Sequence, residues 1–460
     1  MIGQPLTGHG MTIPYFRPTV HNICYTETMF QDRKYWWWPC LGFVVALGMN
    51  FWHIGQPASL ISDEVFFVRD GHEYIVRQAY FDPHPPLGKM QLGAIFKLFG
   101  YSPVTWRSLN AVEGALIVPL VWWIAWRLTK SRRAAAIAII LSLLNGLWLV
   151  DARLGLINIP YLLYALVALA AMLKALDSRR PVWWLILAGV FSGAALSVKW
   201  LSILITVPAL GLWLWPEWFG LTRVKKNIRL TRLTIGPLVL LPLLIYWLVF
   251  RLHFAWLGLP SSFFQTNLQM LHYHLSVPGT GDPYAQPWWG WLVLWQPFPY
   301  FLQHVHGRLQ SIWSLANPLV WWSGSALLIY NLFRGWTRPV LRTLNVFILA
   351  TWIPFALVPR IMYSYHALPL SVFMILLIAT MLDAVWSRRR RFVIVFLVLA
   401  TGVFIWFWPW YVGLPLSPGQ NKLRQWLPSW RERATVSTQM RLVAVFEDPR
   451  PVTLARRGAQ

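Results

Sequence analysis

Windows of mostly apolar residues recur along nearly the whole chain, at 36–54, 106–128, 134–150, 159–176, 182–198, 200–215, 235–251, 317–333, 344–358, 363–386 and 392–411. A helix needs roughly 17–25 such residues to cross a hydrocarbon core about 30 Å thick, and a segment in lipid must satisfy its backbone polar groups internally. This pattern predicts an all-α polytopic membrane protein with about eleven transmembrane helices. With 57% hydrophobic and only 12% charged residues among 460, the chain is far too apolar for a soluble domain of that size.

The formal net charge is +24. A nucleic-acid reader concentrates its basic residues on a soluble module, and this sequence has none, so no nucleic-acid partner is expected. The cations instead occupy every second connection: Arg33 and Lys34, Lys130 with Arg132 and Arg133, Arg179 and Arg180, residues 223–232, residues 334–342, and Arg388 to Arg391. The positive-inside rule then puts the N-terminus in the cytoplasm and the C-terminus outside. Residues 1–35 read as a cytoplasmic arm, 36–411 as the transmembrane domain, and 412–460 as an external tail too poor in apolar residues for a core of its own. The first apolar run follows Arg33 and Lys34 and lacks a small-residue exit, the pattern of an uncleaved anchor. Cys24 and Cys40 leave no disulfide framework and no Cys-rich metal site.

Charges of both signs collect at the opposite face. The first external loop, 55–105, gathers Asp63, Glu64, Asp70, Glu73, Asp82, His84 and Lys89, and such crowding of titratable groups suggests chemistry. Arg107, Asp151, Arg153, Lys199, Arg360, Tyr365 and His366 fall at external ends of later windows, and His272 and His274 lie in the second external loop, 252–316. Cations there can hold a phosphate by charge-assisted hydrogen bonds while a carboxylate takes a proton, as an enzyme acting on an amphiphile's head group requires. Glu113, two turns into the second window, is expected to pair with Arg107, because a lone intramembrane carboxylate is expensive. Leu87, Met90, Leu92, Ile95, Phe96 and Phe99 recur at helical spacing and predict an amphipathic helix along the interface. Histidines at i and i+2 cannot share a helix face, so His272 and His274 make a poor zinc pair and no metal is expected. Most of the 32 Trp and 16 Tyr fit bilayer-interface anchoring; Trp288, Trp289 and Trp291, in an external loop, are the candidates for substrate contact.

At these residues the sequence resembles the protein O-mannosyltransferase family, membrane glycosyltransferases of the GT-C fold that use a polyprenyl-phosphate sugar. The matching pieces are Asp63-Glu64, His84-Pro85-Pro86-Leu87-Gly88-Lys89, Arg107, Arg153, Ser197-Val198-Lys199-Trp200, Tyr273-His274, Trp288-Trp289-Gly290-Trp291, Tyr365-His366 and Gly413-Leu414-Pro415-Leu416-Ser417. The resemblance implies that Asp63 is the catalytic base and Glu64 shapes the acceptor site. It further implies that Arg153 and Lys199, with Arg360, face the donor phosphate, and that His84, Lys89, Arg107, His274, Trp288, Trp289, Tyr365 and His366 line the active-site loops. Implied partners are a polyprenyl-phosphate sugar donor, an exported protein or other hydroxyl acceptor, and membrane lipids, with no cofactor and no metal, at the external face of the plasma membrane. The second loop, about sixty residues, is too short for the soluble lectin-like domain of eukaryotic members, which points to a bacterial type. Two departures bear on substrate identity: Leu156-Ile157-Asn158 stands where the family often has an Asp a few residues after the Arg, and Asp282-Pro283-Tyr284 where it often has His-Pro-Tyr. A related transferase decorating a lipid or polysaccharide, aminoarabinose-transferase-like, is the alternative enzyme reading. A transporter or flippase would place its charges near the midplane and show internal repeats, neither of which this sequence does.

Overall fold

The computed structural model describes residues 37–221, 234–259, 262–277 and 281–433. Residues 1–36, which include Cys24 and the expected cytoplasmic arm, the basic run at 223–232 and the tail beyond 433 lie outside the described residues. Each apolar window contains a helix. They are α1 (Trp37–Phe51), α4 (Pro103–Thr129), α5 (Arg132–Leu143) with α6 (Gly146–Ala152), α7 (Asn158–Ala175), α8 (Pro181–Val198), α9 (Ile203–Leu214), α10 (Leu241–Leu257), α12 (Pro318–Arg334), α13 (Pro339–Trp352) and α14 (Leu368–Val412). By length and composition six helices among the described residues can cross a membrane, or seven if the α5–α6 pair, bent by 58°, is one span. The protein is an integral membrane protein.

Local chemistry explains the breaks. Asn145 ends α5 and caps α6, its side chain accepting the Leu147 N–H, so the chain bends where the sequence reading had one straight span. The last two windows meet at Arg389, whose φ of −136° and ψ of 41° interrupt α14 within the basic run. Between helices, small residues permit close approach: a Cβ at Gly189 would stand 1.9 Å from the Pro237 carbonyl oxygen and one at Gly193 2.8 Å from that of Pro242. This is the small-xxx-small packing that replaces the hydrophobic effect in lipid, and it seats α8 against the helix at Gly236–Leu257.

The two connecting regions on the site face are more ordered than loops. The first holds α2 (Glu64–Val76) and α3 (Leu87–Phe99); α3 is the expected amphipathic helix, whereas α2 was not foreseen. The second holds α11 (Phe263–Ser276) and an antiparallel hairpin, β1 (Phe298–Val305) and β2 (Arg308–Ser314), the one departure among the described residues from an all-α chain. The tail returns onto this hairpin: Leu416 and Leu309 exchange two backbone hydrogen bonds of 2.8 Å, and the short α15 (Pro418–Lys422) follows. Trp430 is wholly buried near Trp410 and Phe407, so the tail shares the core it could not build alone.

Candidate active site

The neighbours Asp63 and Glu64 open α2, and the structure gives them opposite environments. Both oxygens of Glu64 are enclosed and committed: Oε1 accepts Arg107 Nε at 2.7 Å and Gly155 N at 2.8 Å, and Oε2 accepts Arg107 Nη2 at 2.7 Å and Ile61 N at 3.1 Å. Arg107 also donates to the carbonyls of Ile54, Pro57 and Ser59. One turn on, Asn110 Nδ2 donates to Leu154 and Leu156 carbonyls at 2.6 Å each. Glu64 therefore ties the entry to α2 to α4 and to the turn after α6, instead of shaping an acceptor surface as the resemblance implied. The expected Arg107–Glu113 pair does not form. Six residues apart on a helix they lie on different faces, and Glu113 instead accepts a 2.7 Å hydrogen bond from Tyr164 of α7.

Asp63 is half-buried at the N-cap of α2 and makes no capping hydrogen bond, which leaves its carboxylate uncommitted. Burial pushes this carboxyl above the usual range, Lys199 and Arg360 pull it down, and Asp82 adds to the upward shift. Lys199, delivered by the end of α8, donates to Asn158 Oδ1 at 2.8 Å; Asn158 donates to Asp151 Oδ1 at 2.7 Å, and the Tyr300 hydroxyl donates to the same oxygen at 3.2 Å. The rings of Tyr161 and Tyr365 stand 5.8 and 5.9 Å from its Nζ. Burial first, then Arg360, bring Lys199 down to about 8, while Asp63 acts in the other direction.

The loop before α3 folds around its own ion pair. Lys89 Nζ donates to Asp82 Oδ1 at 2.7 Å and to the His84 carbonyl at 2.6 Å, and His84 N donates to Asp82 at 2.6 Å. His84 packs on His274 with ring centroids 5.2 Å apart. His274 in turn donates from Nε2 to the Pro83 carbonyl at 2.9 Å and accepts Arg360 Nη1 on Nδ1 at 2.6 Å. Accepting a hydrogen bond from Arg360 requires an unprotonated Nδ1, and burial with Arg360 lowers His274 accordingly. His84 is pushed well below its ordinary value by burial, then by Lys199 and Lys89. Both imidazoles are neutral at pH 7, so the positive charge beside Asp63 belongs to Lys199 and Arg360. Near them Tyr365 stacks on His366 at 4.6 Å, whose Nδ1 accepts the Tyr363 N–H at 3.1 Å.

The other expected residues take other posts. Arg153 Nη1 donates to the carbonyls of Met49, Asn50 and Trp52, closing the end of α1. Trp288 packs on Trp352 at 5.0 Å and Trp289 on Trp295 at 6.2 Å; Trp291 is buried against Phe355, in core and not in reach of substrate. Among the described residues no three His, Cys, Asp or Glu side chains are grouped so as to hold a metal ion. Sequence reasoning missed Asp151, Asn158 and Tyr300 as supports of Lys199. Asp151 was visible beside Arg153, whereas Tyr300 carried no signal because it arrives on an unforeseen hairpin.

Comparison with known proteins extends this picture. A family model described as dolichyl-phosphate-mannose-protein mannosyltransferase matches residues 40–106 and 102–257, and that of the C-terminal four TMM region of protein-O-mannosyltransferase matches 259–430. The polyprenol-phosphate-mannose--protein mannosyltransferase of Corynebacterium glutamicum is 27% identical over 433 residues, covering 76% of this chain and 81% of that protein. Its namesake from Mycobacterium tuberculosis is 25% identical over 427 residues with the same coverage. In fold, the chain superposes on the Saccharomyces cerevisiae protein O-mannosyltransferase complex bound to the sugar donor with a TM-score of 0.78 at 15% identity, over 87% of this chain and 93% of that one. ArnT from Cupriavidus metallidurans bound to undecaprenyl phosphate gives 0.54 at 18%, over 75% and 60%. The chain thus belongs to the protein O-mannosyltransferase family and is a membrane glycosyltransferase of the GT-C fold.

Proposed function

We propose that this protein transfers mannose from a polyprenyl-phosphate-linked donor to Ser or Thr hydroxyls of exported proteins, without a metal ion, at the external face of the plasma membrane. The observation that carries the reading is the uncommitted carboxylate of Asp63 with Lys199 and Arg360 as its neighbouring cations. Asp63 takes the proton of the acceptor hydroxyl, the hydroxyl oxygen bonds to the sugar's anomeric carbon, and the bond from that carbon to the phosphate oxygen breaks with its electron pair. A polyprenyl monophosphate leaves, and its growing charge is met by Lys199 and Arg360. A raised carboxyl suits this step, since a base nearer the working pH captures a proton better. Two fixed cations beside Asp63 can meet the charge of a leaving phosphate without a divalent ion, which supports metal independence. The basic connections at Lys130, Arg179 and Arg388 stand at the opposite ends of the helices from Asp63 in the sequence order and support the external placement. The names of the actinobacterial relatives favour mannose and a protein acceptor.

The test is to incubate the purified protein with labelled polyprenyl-phosphate mannose and a Ser/Thr-rich peptide. Label on the peptide is the expected result. Label transferred only to a lipid or polysaccharide acceptor would replace this reading with that of a lipid- or glycan-decorating transferase.

A further inference from the structure

An open groove of about 660 Å³ runs between Phe81 and one face of α11, formed by Gln265, Leu268, Gln269 and His272. These four positions follow the spacing of a single helical face. The opposite face of α11 is anchored: Met270 and Phe263 pack with Tyr246, Phe250 and Phe254, and Asn267 accepts the Tyr246 hydroxyl at 2.5 Å. The groove is therefore a fixed surface of the fold. One wall borders the catalytic cluster, because Phe81 immediately precedes Asp82; His274, which holds Pro83 and Arg360, stands on the anchored face of α11, so the loop from Phe81 to Pro83 passes from the groove to the cluster.

We propose that this groove holds the acceptor polypeptide as an extended strand that leads its Ser or Thr into Asp63; the inference rests on the protein-acceptor reading above. Gln265 and Gln269 lie one turn apart, about 6 Å along the helix axis, close to the repeat of about 6.6 Å between alternate residues of an extended chain. Two successive same-side backbone amides of the peptide thus meet two glutamine side chains, each carrying a donor and an acceptor. Phe81 and Leu268, both about half exposed, offer apolar contact to small or Pro-type side chains beside the acceptor residue. Among the described residues no Asp, Glu, Lys or Arg lines the groove, so it favours an uncharged stretch around the hydroxyl. A polyprenyl tail would bury the glutamine amides without partners, which argues for a peptide as the occupant.

The experiment uses the full-length protein in nanodiscs, with labelled polyprenyl-phosphate mannose and a biotinylated Thr/Ala/Pro-rich peptide. The double variant Gln265→Ala, Gln269→Ala is expected to raise KM for the peptide about tenfold while KM for the donor stays within about twofold. A photo-crosslinking residue at Leu268 should capture the peptide, with loss of the signal on adding excess unlabelled peptide. The same probe at Leu271, on the neighbouring face, should not. The cross-link needs no turnover and stays informative if the double variant folds poorly. An unchanged peptide KM, or capture of lipid instead of peptide at Leu268, overturns the proposal. Failure of the wild-type enzyme to mannosylate any peptide would instead refute the protein-acceptor reading, and this groove assignment with it.

Discussion

Replacing Glu64 with Gln separates the two adjacent carboxyl residues by what they do. All four groups facing the Glu64 oxygens are donors: Arg107 Nε and Nη2, Gly155 N and Ile61 N. A glutamine there must turn its own NH₂ toward two of them, so either orientation breaks two hydrogen bonds and leaves the fully buried Arg107 without its counter-charge. Breaking a buried ion pair from one side costs about 3–5 kcal/mol. In a chain of this length that is a fall of about 3–5 °C in the apparent melting midpoint, followed by scanning fluorimetry in detergent at one fixed heating rate. Asp63→Asn should behave in the opposite way. Its carboxyl is shifted upward by burial, so removing the charge leaves stability at pH 7 equal or higher, while loss of the base lowers turnover by about 10²–10⁴-fold. A Glu64→Gln protein melting within about 1 °C of wild type would refute the assignment of Glu64 to the scaffold. An Asp63→Asn enzyme retaining more than about a third of wild-type turnover, under conditions where chemistry limits the rate, would remove Asp63 from the base role.

Three further outcomes follow from the same geometry. The profile of kcat/KM against pH should fall on the acid side at a pH above the ordinary carboxylate value of about 4, as Asp63 gains its proton. It should fall again near about 8 as Lys199 loses its own, and Lys199→Arg should carry that alkaline limb upward; a limb unmoved by the substitution would acquit Lys199. Lys199→Ala should weaken donor-lipid binding, and EDTA should leave turnover unchanged; loss of turnover on chelation with rescue by Mg²⁺ or Mn²⁺ would contradict the use of cations in place of a metal. In a cysteine-free background, Ala79→Cys should react with a membrane-impermeant thiol reagent in intact cells and Arg179→Cys only after lysis, both positions being exposed; the reverse would invert the topology.

Elements whose pattern repeats over many residues were legible in the sequence. Helical windows, the amphipathic α3 and the gathering of Asp63, Lys199 and Arg360 at one end all rest on periodicity or on charge placement, which are properties of the chain itself. Features that depend on partners far away were not. Glu64 and Asp63 are neighbours with the same functional group, and only the approach of Arg107 and Gly155 to one of them decides which is scaffold and which is free. The mistaken pairing of Arg107 with Glu113 has the same origin, since sequence proximity stood in for a contact made 43 residues away. The hairpin was hidden because Phe298 to Ser314 reads as mixed aromatic and polar, and its pairing is stabilised by tail residues more than a hundred positions later.

That hairpin also fixes when the enzyme becomes an enzyme. Tyr300 on β1 supports Asp151, the Ser314 carbonyl accepts the Ser364 hydroxyl at 2.7 Å, and β2 finds its edge partner only at Leu416. Synthesis delivers Asp63 early, Lys199 midway and Arg360 late, and the strand edge at Leu309 stays open until Leu416 follows the last membrane helix. A ribosome-bound chain short of that point holds Asp63 but an incomplete set of neighbouring cations and an unpaired edge, the kind of surface that recruits other strands. Closure of the site region therefore waits on residues that follow α14, and until Leu416 emerges the edge of β2 stays open.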